Sequence, residues 1–311
     1  MNPVPTIVVV AAAAKDIAPD DPRGWRLGGG VSYSALTTAL LGVPTGAIVG
    51  VDAVTETAHE LDLLRAAGVD VRVVRLGHGP VFENIERPEG RLQHSEGPSD
   101  PVPIDAVPPG WADAPGWILA PVAAELPDAW ATVPSPAATV AVGWQGLLRV
   151  LRRGEAVEHL PPSRLPILDR ADLVGVSRDD VDHSIELAEL CRHLRPGATL
   201  AVTQGDRGGL VMEAGQDGVH HLRHYPAVHS HRIVDPTGAG DVFLAALAAA
   251  RIEPRLVGGR IATGYDLLLA AAAASLVLEG PGLLGVPDRA AVRARMQEAM
   301  VARARAAQSS G

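Results

Sequence analysis

An α/β fold with a mostly parallel central sheet is what this 311-residue sequence predicts, on three observations. Short β-branched runs recur, beginning with Ile7-Val8-Val9-Val10, of the kind that fill a strand buried on both faces. Helical patterns alternate with them: residues 46–51, 55–67 and 69–74 read strand, helix, strand, the mark of a βαβ unit. Residues 76–111 then break the alternation. Pro, Gly and polar residues cluster there, and only short runs such as Val81-Phe82-Glu83-Asn84-Ile85 can pair as strands, which points to a flap or an inserted hairpin.

Composition agrees with one large domain spanning 1–311. Hydrophobic residues make up 47% and charged residues 20%, enough for a sizeable core. A net charge of −9 argues against a general nucleic-acid binder, since nothing offsets repulsion from phosphate backbones, but a nucleotide needs only a local anion site. Cys191 is the single cysteine, so disulfides within the chain and cysteine-based zinc sites are excluded, and its apolar-periodic surroundings suggest a buried thiol. The apolar run at 6–14 is charged too soon for a membrane span and lacks a basic region before it. A cytoplasmic protein without membrane or nucleic-acid partners is expected.

Each element has its own signal. The first strand runs on to Asp16, and a polar loop leads to Leu27-Gly28-Gly29-Gly30, where glycines permit a tight turn ahead of a helix that ends at Gly42-Val43-Pro44. This is not a P-loop, because the Gly-Lys-Ser/Thr ending is absent. The amphipathic pattern Ala58, Leu61, Leu64, Ala67 stops at Gly68. Strands are expected at 117–122 and 139–142, the latter placing the amide of Gln145 at a strand C-terminus, where open α/β sheets bind ligands. Residues 171–176 form a further strand, and Ser177-Arg178-Asp179-Asp180 opens a helix through Leu194 with ordinary N-cap chemistry. A strand at 199–203 enters the glycine-rich turn 204–209. Apolar helices are expected at 266–278 and 289–307. The histidines at 220, 221, 224, 229 and 231 lack a ligand spacing and read as a polar face.

The most informative stretch is 235–250. Thr237-Gly238-Ala239-Gly240-Asp241 precedes an alanine-rich helix, so unobstructed N–H groups and the helix dipole make an anion site there. Asp241 either caps the helix or has chemistry to do; a carboxylate in a phosphate cradle suits a base that takes a hydroxyl proton. Asp-x-Thr-Gly-Ala-Gly-Asp resembles the C-terminal signature of the ribokinase/PfkB carbohydrate kinase family.

That resemblance implies a ribokinase-like three-layer sandwich with a small β lid, from segments near 15–27 and 76–112. It implies that Gly238, Ala239 and Gly240 hold the transferred phosphoryl group and that Asp241 is the base. Asp16, Gly28 and Gly29 match the family's acceptor-binding positions, and Tyr33 stands where many members carry Asn. Asn84 is a lid candidate for acceptor contact, with Phe82, Glu83, Arg91 and Gln93 beside it. Thr203, Gly205 and Gly208 fill a Thr-x-Gly-x-x-Gly pattern along ATP, with Arg207 in reach of a phosphate and Thr237 at the nucleotide end. Asp180 replaces a Glu that orders Mg²⁺. A monovalent cation is implied near Asp235 and Thr237, although Gly285 stands where a Ser would contribute. The expected activity is ATP- and Mg²⁺-dependent phosphorylation of a sugar or polyol. A nucleoside acceptor, or a catalytically silent ligand-binding protein on the same fold, are the alternatives. A homodimer joined through the lid is left open.

Overall fold

The computed structural model describes residues 4–87, 90–216 and 218–309. Its main sheet has nine strands in the order β16-β15-β14-β13-β9-β8-β1-β4-β5. These are β1 (Ile7–Ala12), β4 (Thr45–Val51), β5 (Asp70–Arg75), β8 (Gly116–Leu119), β9 (Thr139–Gly143), β13 (Leu173–Ser177), β14 (Thr199–Thr203), β15 (Gly209–Gly215) and β16 (Gly218–Tyr225). All neighbours from β5 to β14 are parallel, and β15 and β16 close one edge antiparallel.

Both faces of the sheet are covered, and β1 shows how. Ile7, Val9 and Ala11 join one apolar cluster, while Val8, Val10 and Ala12 join another. The two-residue period of a strand sends alternate side chains to opposite faces. On the first face lie α1 (Gly30–Leu40), α4 (Ala239–Ile252), α5 (Tyr265–Val277) and α6 (Arg289–Ser309). Small residues let α4 sit close: a Cβ at Gly175 on β13 would stand 2.9 Å from Leu244 of that helix. α2 (Glu60–Ala66) packs against the same cluster through Leu61 and Leu64. The opposite face has one short helix, α3 (Pro166–Arg170), and 3₁₀ turns. Trp111, Trp117, Trp130 and Trp144 supply the bulk there that longer helices would otherwise bring.

A second sheet of five strands, β11-β7-β6-β2-β3, stands beside the first. It is built from β2 (Ala14–Ile17), β3 (Trp25–Gly28), β6 (Val81–Arg87), β7 (Gly90–Ser95) and β11 (Glu155–Ala156). β10 (Arg149–Val150) and β12 (Glu158–His159) pair on either side of β11. This is the small β lid expected from segments near 15–27 and 76–112. Its edge strand from 155–156 was not foreseen.

Two elements differ from expectation. Residues 55–67 divide into a 3₁₀ turn at Thr55–Thr57 and α2, because Asp52 Oδ1 accepts from the N–H groups of Val54 and Thr55 and from the Thr55 hydroxyl, ending a turn before the helix starts. The helix expected from 177 to 194 is replaced by 3₁₀ turns at Arg178–Asp180 and Leu187–His193. Buried Arg178 is the cause: its guanidinium donates to the carbonyls of Val181, Asp182 and Ile185 and so takes acceptors a helix would use. Among the described residues no helix is long and apolar enough to cross a membrane.

Candidate active site

The site forms where α4 begins, at the C-terminal ends of β1, β8 and β9. Gly238 is the N-cap of α4, with φ of 79°, and no side chain caps the helix. Asp241 therefore lies in the first turn and does not cap it, so the free N–H groups face outward for an anion. Gly240 has open space around it, with nothing within 4 Å of where a Cβ would stand.

Glycines hold Asp241 in place. A Cβ at Gly30 would stand 3.0 Å from Asp241 Oδ1 and 2.7 Å from the Ala120 carbonyl oxygen, so only a glycine lets α1 approach this closely. Withdrawal from water pushes the Asp241 carboxyl up to about 7; the charge of Arg149 acts against this and that of Asp180 adds to it. A carboxyl poised near neutrality suits a general base.

On one side of Asp241 lie the residues that the family resemblance assigns to an acceptor. Asp16 on β2 packs on Gly28, where a Cβ would collide with its carboxyl oxygen. Gly29, the N-cap of α1, has φ of 87°, and a Cβ there would stand 2.8 Å from Ala14 N. Tyr33 is buried, its ring against Gly238, and its hydroxyl is held well above its ordinary pKa by burial first and then by the charges of Asp16, Asp235 and Asp241. Phe82 is the register partner of Asp16, and Asn84 lies two residues further along β6, accepting from Gln93 Nε2 at 2.7 Å. The side chain of Arg91 lies outside the described residues.

On the other side lies Asp180. Its Oδ2 accepts from Ser177 N, and its Oδ1 accepts from Gln145 Nε2 at 2.8 Å and stands 3.5 Å from Arg149 Nη2. Gln145 is thus tied to Asp180. Thr203 is the register partner of Ser177, which sets the 203–208 turn next to Asp180. Gly208 has φ of 83°, and a Cβ there would strike the Tyr225 carbonyl oxygen at 2.2 Å. Arg207 is exposed on that turn.

Thr237 N and Gly282 N donate to the two oxygens of Asp235, at 2.9 and 3.0 Å, and Arg26 Nη1 stands 3.8 Å from its Oδ2. Gly285 leaves no room for the side chain that a Ser would add, since a Cβ would stand 2.4 Å from the Val277 carbonyl oxygen. Among the described residues no three His, Cys, Asp or Glu side chains gather as a metal cage would need. One carboxylate beside a phosphate cradle fits Mg²⁺ carried in on the donor phosphates with most of its waters, and fits no tightly held structural metal.

Three residues of the site gave no signal in the sequence. Arg149 and Arg26 belong to no motif. Glu125 is fully buried where the loop after β8 meets the end of β1, and it accepts from the N–H groups of Ala12, Val122 and Ala123.

The fold has close counterparts among solved structures. A pyrophosphate-dependent kinase in the ribokinase family, complexed with a pyrophosphate analog and myo-inositol, superposes with a TM-score of 0.72 at 21% identity, over 93% of this chain and 99% of that one. Arabidopsis thaliana ribokinase complexed with ribose and ATP gives 0.64 at 19%, over 94% and 99%. Burkholderia thailandensis nucleoside kinase in complex with inosine gives 0.66 at 16%, over 94% and 97%. No curated protein matches by sequence. These likenesses define a ribokinase-like α/β kinase fold. Residues 169–288, which contain Asp180, the 203–208 turn and Asp241, match the profile of the pfkB family carbohydrate kinases. Over that stretch the chain is similar to the pfkB family carbohydrate kinases, and its fold is ribokinase-like.

Proposed function

We propose that this kinase transfers the γ-phosphoryl group of ATP to a hydroxyl of a small sugar or polyol, with Asp241 as the base. The observation that carries this is the position of one carboxyl, raised to about 7, between the uncapped N-terminus of α4 and Asp16. An acceptor hydroxyl lying between Asp16 and Asp241 gives its proton to Asp241 as its oxygen attacks phosphorus. The N–H groups of Gly238 to Asp241 then stabilise charge on the moving phosphoryl oxygens, at no cost in reorganisation because they are already oriented. Asp180, with Gln145 fixed against it, would orient Mg²⁺ and its waters, and the metal supplies charge neutralisation to the phosphates. The turn at Thr203, Gly205 and Gly208 would follow the rest of the nucleotide, with Arg207 at its edge.

Burial of the rings favours a sugar or polyol over a nucleoside. Base recognition needs an open aromatic face, and three rings near the site are covered: Trp144 is 0% exposed, Tyr33 2% and Phe82 3%. The myo-inositol bound by one structural neighbour is an acceptor of the favoured kind. A screen of sugars, polyols and nucleosides for ADP release tests the proposal, with pyrophosphate as a second donor. Turnover with a sugar or polyol and ATP is expected. Turnover with nucleosides alone would reverse the acceptor class, and small-molecule binding without turnover would identify a ligand-binding protein.

A further inference from the structure

Arg149 is a cation at the centre of this site to which the reading above gives no task. Its side chain is 8% exposed, and two of its neighbours among the described residues are Asp180 and Phe82. Nη2 stands 3.5 Å from Asp180 Oδ1 on the phosphate side. The guanidinium carbon lies 5.7 Å from the centre of the Phe82 ring, and Phe82 is the register partner of Asp16 on the acceptor side. Its charge also acts on Asp241. Arg149 therefore links Asp180 to the strand that pairs with Asp16.

Electrostatics explains why a cation belongs there. Asp180 and Asp241 would together repel a phosphoryl group crossing between them, and a third acid, Asp16, lies beyond. Guanidinium keeps its charge when buried and presents planar N–H donors that match phosphoryl oxygens.

The backbone supports this placement. Arg149 begins β10, which pairs with β12 in the register Arg149 to His159. Between them β11 joins the edge of the lid sheet, with Glu155 opposite Ser95 and Ala156 opposite His94. The segment carrying Arg149 is thus part of the lid sheet at one end and part of the phosphate side at the other.

We propose that Arg149 is a further catalytic residue, donating hydrogen bonds to the equatorial oxygens of the phosphoryl group in flight. The assignment rests on the phosphotransfer reading above. In the step it serves, the acceptor O–H bond breaks with its proton passing to Asp241, and a new O–P bond forms. The bond from phosphorus to the bridging oxygen of the donor breaks, and its electron pair leaves with that oxygen. Arg149 exchanges no proton and lowers the energy of the charge distribution midway.

The test compares wild type with Arg149→Lys, Arg149→Gln and Arg149→Ala. Arg149→Gln is expected to lower kcat by roughly 10²–10³ with the acceptor KM within about threefold, the range for a lost transition-state cation. Arg149→Lys should retain more activity than Gln, and guanidinium ion added to Arg149→Ala should restore part of the rate. Calorimetry with tripolyphosphate, without metal or acceptor, should show binding weakened about tenfold in Arg149→Gln. Melting temperatures identify any variant that fails to fold, and Lys keeps the test open if Gln does. A kcat for the Gln variant within threefold of wild type overturns the assignment. So does a fall in kcat that neither Lys nor guanidinium relieves while tripolyphosphate affinity is unchanged, because that pattern is structural. If wild type turns over no donor–acceptor pair, the phosphotransfer reading falls by itself, and tripolyphosphate binding still decides whether Arg149 holds phosphate.

Discussion

The ring of Tyr33 lies so close to Gly238 that a Cβ on the glycine would come within 2.4 Å of two ring carbons. The helix carrying Tyr33 and the turn that opens α4 are therefore fitted closely to each other at this point. Gly238 also has φ of 79°, which an L side chain resists. Gly238→Ala is expected to push the α4 entrance off the Tyr33 ring and lower kcat by roughly 10²-fold, since misplacement by about 1 Å has that effect. Tyr33→Ala in the same chain should recover part of the loss. Steady-state kinetics of the single and double variants checks both.

The carboxyl of Asp241 titrates near 7, so the pH profile of kcat/KM should rise through an acid limb at about that pH. Stability moves the opposite way. The folded pKa is raised above the unfolded one, so the contribution of Asp241 is fully present below about pH 4 and is lost as pH rises through about 7. Asp241→Asn should accordingly melt at the same temperature as wild type near pH 4 and several degrees higher at pH 8. Thermal melts across that window decide the point.

The negative charge of Asp180 helps to raise Asp241. Asp180→Asn should therefore shift the acid limb below that of wild type, while increasing the Mg²⁺ concentration needed for half-maximal rate. An unmoved acid limb in rate measurements across pH would separate the two acids.

Glu125 accepts three main-chain N–H groups at the junction of the β1 end and the loop after β8, and burial pushes its own carboxyl up. Glu125→Ala leaves those donors without acceptors and should cost about 2–4 kcal/mol of stability. Denaturant unfolding measures this directly.

Much of the geometry around Asp241 was legible in the sequence, because its parts are local: Gly238 to Asp241 are contiguous and lead straight into an apolar helix. The parallel part of the main sheet was readable for the same reason, as β-branched runs such as Ile7–Val10 bury both faces. What stayed hidden depends on distant packing. Arg149 acquires meaning only when β10 meets Asp180 and Phe82, which are far apart in the chain. Arg178 turned an expected helix into 3₁₀ turns by taking carbonyls that no periodicity marks. Trp111, Trp117, Trp130 and Trp144, distant in the chain, come together on one face of the core.

The central claim is that Asp241 removes the proton from the acceptor hydroxyl, and the direct measurement is ADP release by Asp241→Asn beside wild type at pH 8. Turnover is predicted to fall by roughly 10²–10⁴ with the fold intact, the usual contribution of a general base. Undiminished turnover in that variant would contradict the account.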